Sequence, residues 1–393
     1  MAEKLAENVY WVGVVDWDLR DFHGYETRRG TTYNAYLIID DKMVLVDTVN
    51  YPFRTLLARN IRELANLEDL DYVIVNHVEK DHSSSLGYIM GHAKNAVIVT
   101  SQKGRDGLTK YYGGEDWTYL IVKTGDELKI GNRILQFVEA PMLHWPDSMF
   151  TYLKEDKILM PNDAFGQHLA TSQRFDDEVD QSVLMEEAAK YYANILMPYA
   201  PLILRKIEEM AGLGVQPEVI APSHGVVWRS NPGKIVSSYV EWSKGKSGKK
   251  AVIIYDTMWG STQIMAYAIF EAIAEQGVDV RLFRMSKSDF SDIMKEVLEA
   301  KAVIVGSPTL NGSMFPTISA FLDYAIGLRP KDKVWASFGS YGWGGGAVRV
   351  INERLGKARF EVLEPSLQVQ YAPSQAELRN CREFGEGIAA KIQ

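Results

Sequence analysis

A single cysteine, Cys381, stands among the 393 residues, so the chain can form no intrachain disulfide, zinc ribbon or cysteine-held iron–sulfur cluster. Near the end of an expected final helix, it reads as a small buried residue, and the scarcity of cysteine fits a reducing, cytoplasmic setting. Positive charge is also in deficit. With 43 Lys and Arg against 51 Asp and Glu, the net charge is −8 and the pI is near 5.5. That balance argues against partnership with nucleic acid or an anionic membrane surface. No stretch approaches the roughly eighteen apolar residues of a membrane span. The opening "MAEKLAENVYWVGVV" has neither the basic n-region nor the apolar h-region of a signal peptide. What remains is an ordinary globular composition, 46% hydrophobic and 24% charged, long enough for two or three domains.

The polar stretch "SKGKSGKK" (243–250) divides the chain. Gly245-Lys246-Ser247 imitates the end of a phosphate-binding P-loop, but Val240 occupies the position where that motif needs glycine, so the stretch reads as a linker. Residues 1–245 form the first expected domain. Its strand-like runs lie at "VYWVGVVDW", "YNAYLIID", "MVLVDTV" and near 70–75, 96–100, 119–123, 127–139, 149–154 and 157–161. A helix from about Phe53 to Ala65, a long helical pattern over 182–211 and the strand "PEVIAP" complete it. Such a mixture predicts a layered α/β arrangement with largely antiparallel sheets. Residues 250–393 form the second domain, where "KAVIIYDT", "DVRLFRM", "KAVIVGSPT", "KVWASFGS" and "FEVLEPSLQV" alternate with helical segments. Five βα units predict a doubly wound parallel sheet.

Only seven histidines occur, at 23, 77, 82, 92, 144, 168 and 224, and two of them fall in "NHVEKDHSSS" (76–85). That stretch follows a strand-like run, and Ser83-Ser84-Ser85 can cap a helix through Leu86, Ile89 and Met90. In an extended segment the side chains of His77, Glu79 and Asp81 point the same way, while His82 can turn to a second metal. His144 in "APMLHWPD", Asp163 in "ILMPNDAFG" and His224 in "VIAPSHG" also follow strand-like runs. Loops at several strand ends can converge on one edge. A lone histidine is more often a hydrogen-bonded core residue than a ligand, but four ligand-type residues in six positions reverse that preference. His92 reads as a helix-surface residue and His168 as a pocket residue that does not ligate. His23 and Tyr25, with the Tyr191/Tyr192 pair, are candidates for proton-donating positions around the site, with ordinary aromatic packing as the alternative. Histidines mixed with carboxylates suit iron better than an all-histidine set does.

In the second domain three loops follow successive strands. Thr257, Met258, Trp259, Gly260, Ser261 and Thr262 form the first, and their hydroxyls, backbone N–H groups and helix N-terminus can cradle a phosphate. No lysine serves this loop, which favours a monophosphate over a triphosphate. The second holds Pro308, Thr309, Leu310, Asn311 and Gly312; the third holds Ser340, Tyr341, Gly342, Trp343 and Gly344. In a 2-1-3-4-5 sheet these loops flank the topological switch point, where FMN binds. Trp259, Tyr341 and Trp343 offer faces to an isoalloxazine ring. The T-M-W-G-S-T stretch is similar to the flavodoxin phosphate loop.

"HVEKDH" with His144, Asp163 and His224 resembles the iron site of the flavodiiron (A-type flavoprotein) family. Related hydrolases carry H-x-H-x-D-H, whereas Glu79 stands here at the second position. The resemblance covers nearly the entire chain, and it implies a metallo-β-lactamase-like αββα sandwich followed by a flavodoxin-like domain. It further implies that His77, Glu79 and His144 hold one iron, Asp81, His82 and His224 the other, and that Asp163 bridges them. The implied activity is an oxidoreductase passing electrons through FMN to two non-haem irons per chain, reducing O2 to water or NO to N2O. Its donor is then external, a separate rubredoxin or a reduced deazaflavin coenzyme, and its assembly a head-to-tail homodimer or dimer of dimers. Two readings compete: a zinc hydrolase with a redox-sensing FMN domain, and a non-catalytic FMN electron carrier or sensor.

Overall fold

The chain, described over residues 2–392 by a computed structural model, divides into two units. One comprises Met1–Tyr192 and Tyr199–Val240, the other Ala193–Pro198 and Glu241–Gln393. Among the described residues no helix is long and apolar enough to cross a membrane.

Period-two alternation builds the first unit. Leu37, Leu45, Val73 and Ile98 lie in one apolar cluster with the helix residues Leu57, Ile61, Leu86 and Ile89. Their strand neighbours Ile38, Val44, Ile74 and Val99 join Phe137, Met149 and Leu153 of a second sheet. Each such side chain contributes about 1.5–3 kcal/mol when fully buried, so a register slip would turn both clusters inside out. The first sheet runs Glu3–Ala6, Val9–Trp11, Tyr36–Ile39, Met43–Val46, Tyr72–Ile74, Val97–Thr100, Tyr119–Ile121. It is antiparallel over its first four strands and parallel over the rest. The expectation of largely antiparallel sheets therefore holds for only part of it. Helices Arg54–Arg62, Leu86–His92 and Gln102–Tyr112 connect the parallel strands, as parallel pairing demands.

The second sheet runs Glu127–Lys129, Ile134–Glu139, Met149–Leu153, Ile158–Met160, Val219–Ile220, antiparallel except for its last pair. Its pairing places the loops after Ile134–Glu139, Ile158–Met160 and Val219–Ile220 on one edge. Those loops carry His144, Asp163 and His224.

Three local expectations need correction. Residues 182–211 are not one helix: Gln181–Tyr191 gives way to a π-helical turn at Tyr192–Leu196 and a 3-10 turn at Met197–Tyr199 before Ala200–Gly212. Pro198 and Pro201 lack the N–H groups that a continuous helix needs. The histidine-rich segment is not extended throughout, because Lys80–Ser83 form a helical turn with Glu79 at its N-cap. Ser85 precedes helix Leu86–His92 but makes no side-chain cap; the Ser83 hydroxyl is turned instead to the Val78 and Glu79 carbonyls, at 2.7 and 2.9 Å.

In the second unit the strands Asp279–Arg284, Lys250–Tyr255, Ala302–Leu310 and Val334–Tyr341 lie side by side in parallel. The fifth position is shared by Glu361–Val362 and Leu367–Gln370, a strand interrupted around Pro365, which has no N–H to donate. The order is thus 2-1-3-4-5. Every residue of Lys250–Tyr255 is buried, as a central parallel strand covered on both faces should be. Cys381 lies fully buried in a core cluster with Ile253, Ile269 and Ile388, and burial pushes its thiol up to about 11.

Candidate metal centre and flavin cradle

Seven side chains meet at the loop edge of the first unit. His77, Glu79, His144 and Asp163 form one group able to hold a metal ion; Asp81, His82 and His224 form another. The helical turn Lys80–Ser83 explains the division, since it swings Asp81 and His82 away from the direction taken by the extended residues before it. Glu79 Oε2 lies 3.3 Å from both His77 Nε2 and His144 Nε2. Asp81 Oδ2 lies 3.3 Å from His82 Nε2 and 3.2 Å from His224 Nε2. Asp163 faces both groups with different oxygens. Its Oδ2 is 3.4 Å from His144 and 3.7 Å from His77, while its Oδ1 is 3.1 Å from His82 and 3.5 Å from His224.

This arrangement fits cations better than it fits itself. Among the described residues both Asp81 oxygens, Asp163 Oδ2 and His224 Nε2 are buried without a hydrogen-bond partner, a costly state for polar groups unless something charged joins them. In the metal-free cluster protons take that place. Burial alone would lower His77, but hydrogen bonds to Asp147 and Glu79 raise it to about 10. His144, likewise opposed by burial, is raised to about 10 by Asp163 and Glu79. His82 reaches about 9 against burial, through the charges of Asp81 and Asp163. Burial would raise Glu79 and Asp163, yet the facing histidines hold both carboxyls far below their usual range.

A pH dependence follows. Metal ions need neutral imidazole nitrogens, so Fe(II) must displace the protons on His77, His82 and His144. Loading metal-free protein at pH 7 is expected to release protons, and affinity to climb as pH rises toward 9–10. Calorimetry in buffers of different ionisation enthalpy measures the release; a value near zero would contradict these pairings. In the metal-free fold the histidine pairs stabilise fully below about 6.5 and fade as pH climbs through 9–10, whereas the Glu79 and Asp163 pairs fade as pH falls below their ordinary values of 4.5 and 3.8.

Supporting residues frame the cluster. Buried Asp47 accepts from Asn76 N (2.8 Å), Asn76 Nδ2 (3.0 Å) and Asn162 Nδ2 (3.1 Å), fixing the residues just before His77 and Asp163. His224 Nδ1 donates to the Thr32 carbonyl at 2.7 Å, which leaves Nε2 for the centre. Among the residues singled out earlier, Tyr191 donates its hydroxyl to Asp163 Oδ1 at 3.0 Å, as Ser223 does at 3.2 Å. Tyr192 instead packs edge-on against Tyr239. His23 Nε2 lies 3.2 Å from Glu79 Oε1 with its side chain 72% exposed, between solvent and the cluster. Tyr25 packs on His168, 5.1 Å between centroids. His168 is buried beside His224 with Nδ1 2.9 Å from Thr31 Oγ1; burial and the neighbouring His224 hold its imidazole far below 6.5, hence neutral. His92 bonds the Tyr88 carbonyl on its own helix.

In the second unit a cavity of about 830 Å³ opens where the three loops meet, within the range of about 300–1,000 Å³ usual for cofactor pockets. Of the sixteen residues expected there, all but Gly260 and Thr262 line it, and Tyr371 and Ala372 join them. Gly260 takes a left-handed conformation (φ +94°) and enters helix Ser261–Glu275 without a side-chain cap, so first-turn amides remain for a phosphate. Thr262 ties the first loop to the third through Ser340, Oγ1 to Oγ at 2.8 Å. Buried Asp256 holds the first loop from beneath, accepting from Thr257 N (2.9 Å), Ser286 Oγ (3.2 Å) and Thr317 Oγ1 (2.7 Å). Trp259 and Trp343 stand 96% and 94% exposed at the rim, free faces for a planar ring.

Comparison with known proteins agrees with both halves. Residues 31–225 match the family model "ODP family beta lactamase" and residues 253–385 the model "Flavodoxin". A protein of Moorella thermoacetica named nitric oxide reductase is 50% identical over 99% of this chain and 98% of its own length. The solved rubredoxin oxygen:oxidoreductase of Desulfovibrio gigas superposes with a TM-score of 0.98 at 38% identity, covering 100% of this chain and 98% of that one. The flavodiiron protein of Giardia intestinalis gives 0.97 at 37% identity, covering 100% and 97%.

Proposed function

This chain belongs to the flavodiiron protein family, and from that premise we infer that its principal reaction is reduction of NO to N2O, with reduction of O2 to water as the second. It is an oxidoreductase whose cofactors are FMN and a non-haem iron pair. When bound, they supply the redox chemistry, electrons from an external donor passing through the flavin to the irons where the gas is reduced.

The division of seven donors around the two oxygens of Asp163 carries the reading of the first unit. On this reading His77, Glu79 and His144 hold one iron, Asp81, His82 and His224 hold the other, and Asp163 spans them. His23 relays protons inward from solvent, hydrogen-bonded as it is to Glu79, and the Tyr191 hydroxyl steadies Asp163. Trp259, Tyr341 and Trp343 hold the flavin ring, while the first loop holds its phosphate. The preference for NO rests on the 50% identity with a relative named for that reaction.

A separate rubredoxin is the donor we favour, on the name of the Desulfovibrio gigas enzyme; reduced deazaflavin coenzyme is the alternative. The exposed Trp259 and Trp343 beside the cavity support a head-to-tail homodimer, or a dimer of dimers, in which a second copy covers the flavin rim. A cytoplasmic location accords with the absence, among the described residues, of a membrane-crossing helix.

The test is steady-state gas consumption by protein purified anaerobically with FMN and iron, supplied in turn with reduced rubredoxin and reduced deazaflavin coenzyme. One N2O should form per two NO consumed, faster than O2 is consumed, with specific activity falling on dilution as dimers part. Faster O2 consumption would reverse the stated preference. A zinc-loaded protein inert toward both gases would sink the assignment.

A further inference from the structure

The two metal positions share the same kinds of donor but not the same support. Behind the His77 ring lies Asp147, 4% exposed, whose Oδ2 accepts from His77 Nδ1 at 3.0 Å and from Val78 N at 2.8 Å. Trp145 stands edge-on to the same ring, 5.0 Å between centroids. The Asp147 backbone is itself anchored, since its carbonyl accepts the Ser101 hydroxyl at 2.9 Å. His77 is therefore fixed in rotation and has a full negative charge behind it. In the other group His224 Nδ1 leans on neutral groups, the Thr32 carbonyl at 2.7 Å and the Thr31 hydroxyl at 3.4 Å, and His82 Nδ1 is buried with no hydrogen-bond partner among the described residues.

A carboxylate behind a ligating imidazole makes the nitrogen facing the metal a stronger donor and holds the ring in its binding orientation. A carbonyl does the second and less of the first. Asp147 also adds negative charge near only one of the two positions, and a metal ion of higher charge gains more from it.

We propose that Asp147 makes the two metal positions unequal. Acting through His77, it makes the position of His77, Glu79 and His144 the tighter one and the one that prefers the higher oxidation state. This rests on the diiron reading, and Asp147 is a positioning residue that supplies charge without touching metal or substrate.

Two substitutions separate its roles. Because a single oxygen accepts both bonds, Asp147→Asn can keep both acceptances and lose only the charge, whereas Asp147→Ala loses everything. Wild type and both variants are loaded with Fe(II) anaerobically, and circular dichroism with thermal melting serves as the folding control for the unit that carries the substitution. Iron retention is measured against increasing EDTA. The reduced pair is then titrated with ferricenium, each oxidised iron passing one electron to one ferricenium to give ferrocene, and followed by Mössbauer spectroscopy. Asp147→Ala should surrender one iron at about 10- to 100-fold lower chelator concentration, the usual effect of removing such a partner, and the second near the wild-type concentration. Asp147→Asn should retain both irons, shift the midpoint potential upward, and lose the wild-type preference for oxidation at one position. An unchanged potential in Asp147→Asn, or equal loss of both irons in Asp147→Ala, overturns the proposal. Should wild type itself bind no iron pair, the diiron reading fails before either variant is compared.

Discussion

Asp163→Ala is expected to empty both metal positions and leave the flavin in place. Each of the other six donors faces one metal position, but Asp163 turns Oδ2 toward His77 and His144 and Oδ1 toward His82 and His224. Truncation removes a donor from both positions at once. It also takes the acceptor from the Tyr191 and Ser223 hydroxyls and the facing charge from His82 and His144, whose proton affinities then fall toward the value burial dictates. Removing an outer hydrogen-bonding partner of a ligand costs about 10- to 100-fold in affinity or activity; loss of the shared ligand should exceed about 100-fold in turnover of either gas. Asp163→Asn sharpens the test, because its amide nitrogen cannot ligate and only one position keeps its oxygen. At most one iron per chain is expected there, and none after chelation in Asp163→Ala, by elemental analysis. Two tightly held irons in Asp163→Ala would show that the remaining six donors suffice and that the carboxylate does not bridge.

The candidate donors that the structure brings together are legible because histidine is scarce in this chain and sits at strand ends, where a buried core role is less natural. Their partition is less so. An extended reading of 77–81 places Asp81 with Glu79; the family resemblance places it with His82 and His224, and the helical turn Lys80–Ser83 supplies the physical reason. The residues that aim the ligands were invisible for a different reason. Asp47, Asp147 and Asp256 look like any other of the 51 acidic residues; their work consists of accepting hydrogen bonds from groups remote in sequence, such as His77 and Thr317. Tyr371 reaches the flavin cavity through strand pairing, since Leu367–Gln370 runs beside Val334–Tyr341 and Tyr371 N donates to Tyr341 O at 2.7 Å. The broken helix is the opposite case: Pro198 and Pro201 stand in plain view in the sequence, and the apolar periodicity runs across them although neither has the N–H that a continuous helix needs. Fold order in the second unit was readable because five βα units admit few right-handed, doubly wound arrangements.

Gly346→Ala is expected to weaken flavin retention while sparing the irons. Gly346 joins the third loop to helix Ala347–Lys357 and passes so close to the second loop that an added Cβ would lie 2.2 Å from Gly312 O and 2.8 Å from its carbonyl carbon. Its φ of −179° is open to any residue, so the obstacle is space alone. The atoms in the way are backbone, which cannot swing aside as a side chain would. Relief requires the two loops to part, at the expense of the Ala347 N–H to Thr309 Oγ1 bond at 3.2 Å, and the cavity between them loses its shape. Overpacking of this kind costs about 1–3 kcal/mol; taken from flavin binding, that is a loss of about 5- to 150-fold in FMN affinity at roughly 1.4 kcal/mol per tenfold. Fluorescence titration of deflavinated protein with FMN reads the affinity directly. Gly327→Ala, in helix Pro316–Leu328 with nothing within 4 Å of the added Cβ, is the control and should bind FMN as wild type does. Because the metal donors belong to the other unit, Gly346→Ala should retain its irons. Reduced chemically, it should still turn over NO once per iron pair, yet fail to sustain turnover from the protein donor. Unimpaired steady-state turnover in flavin-free Gly346→Ala would mean that electrons reach the irons without the flavin, and would remove the second unit from the electron path.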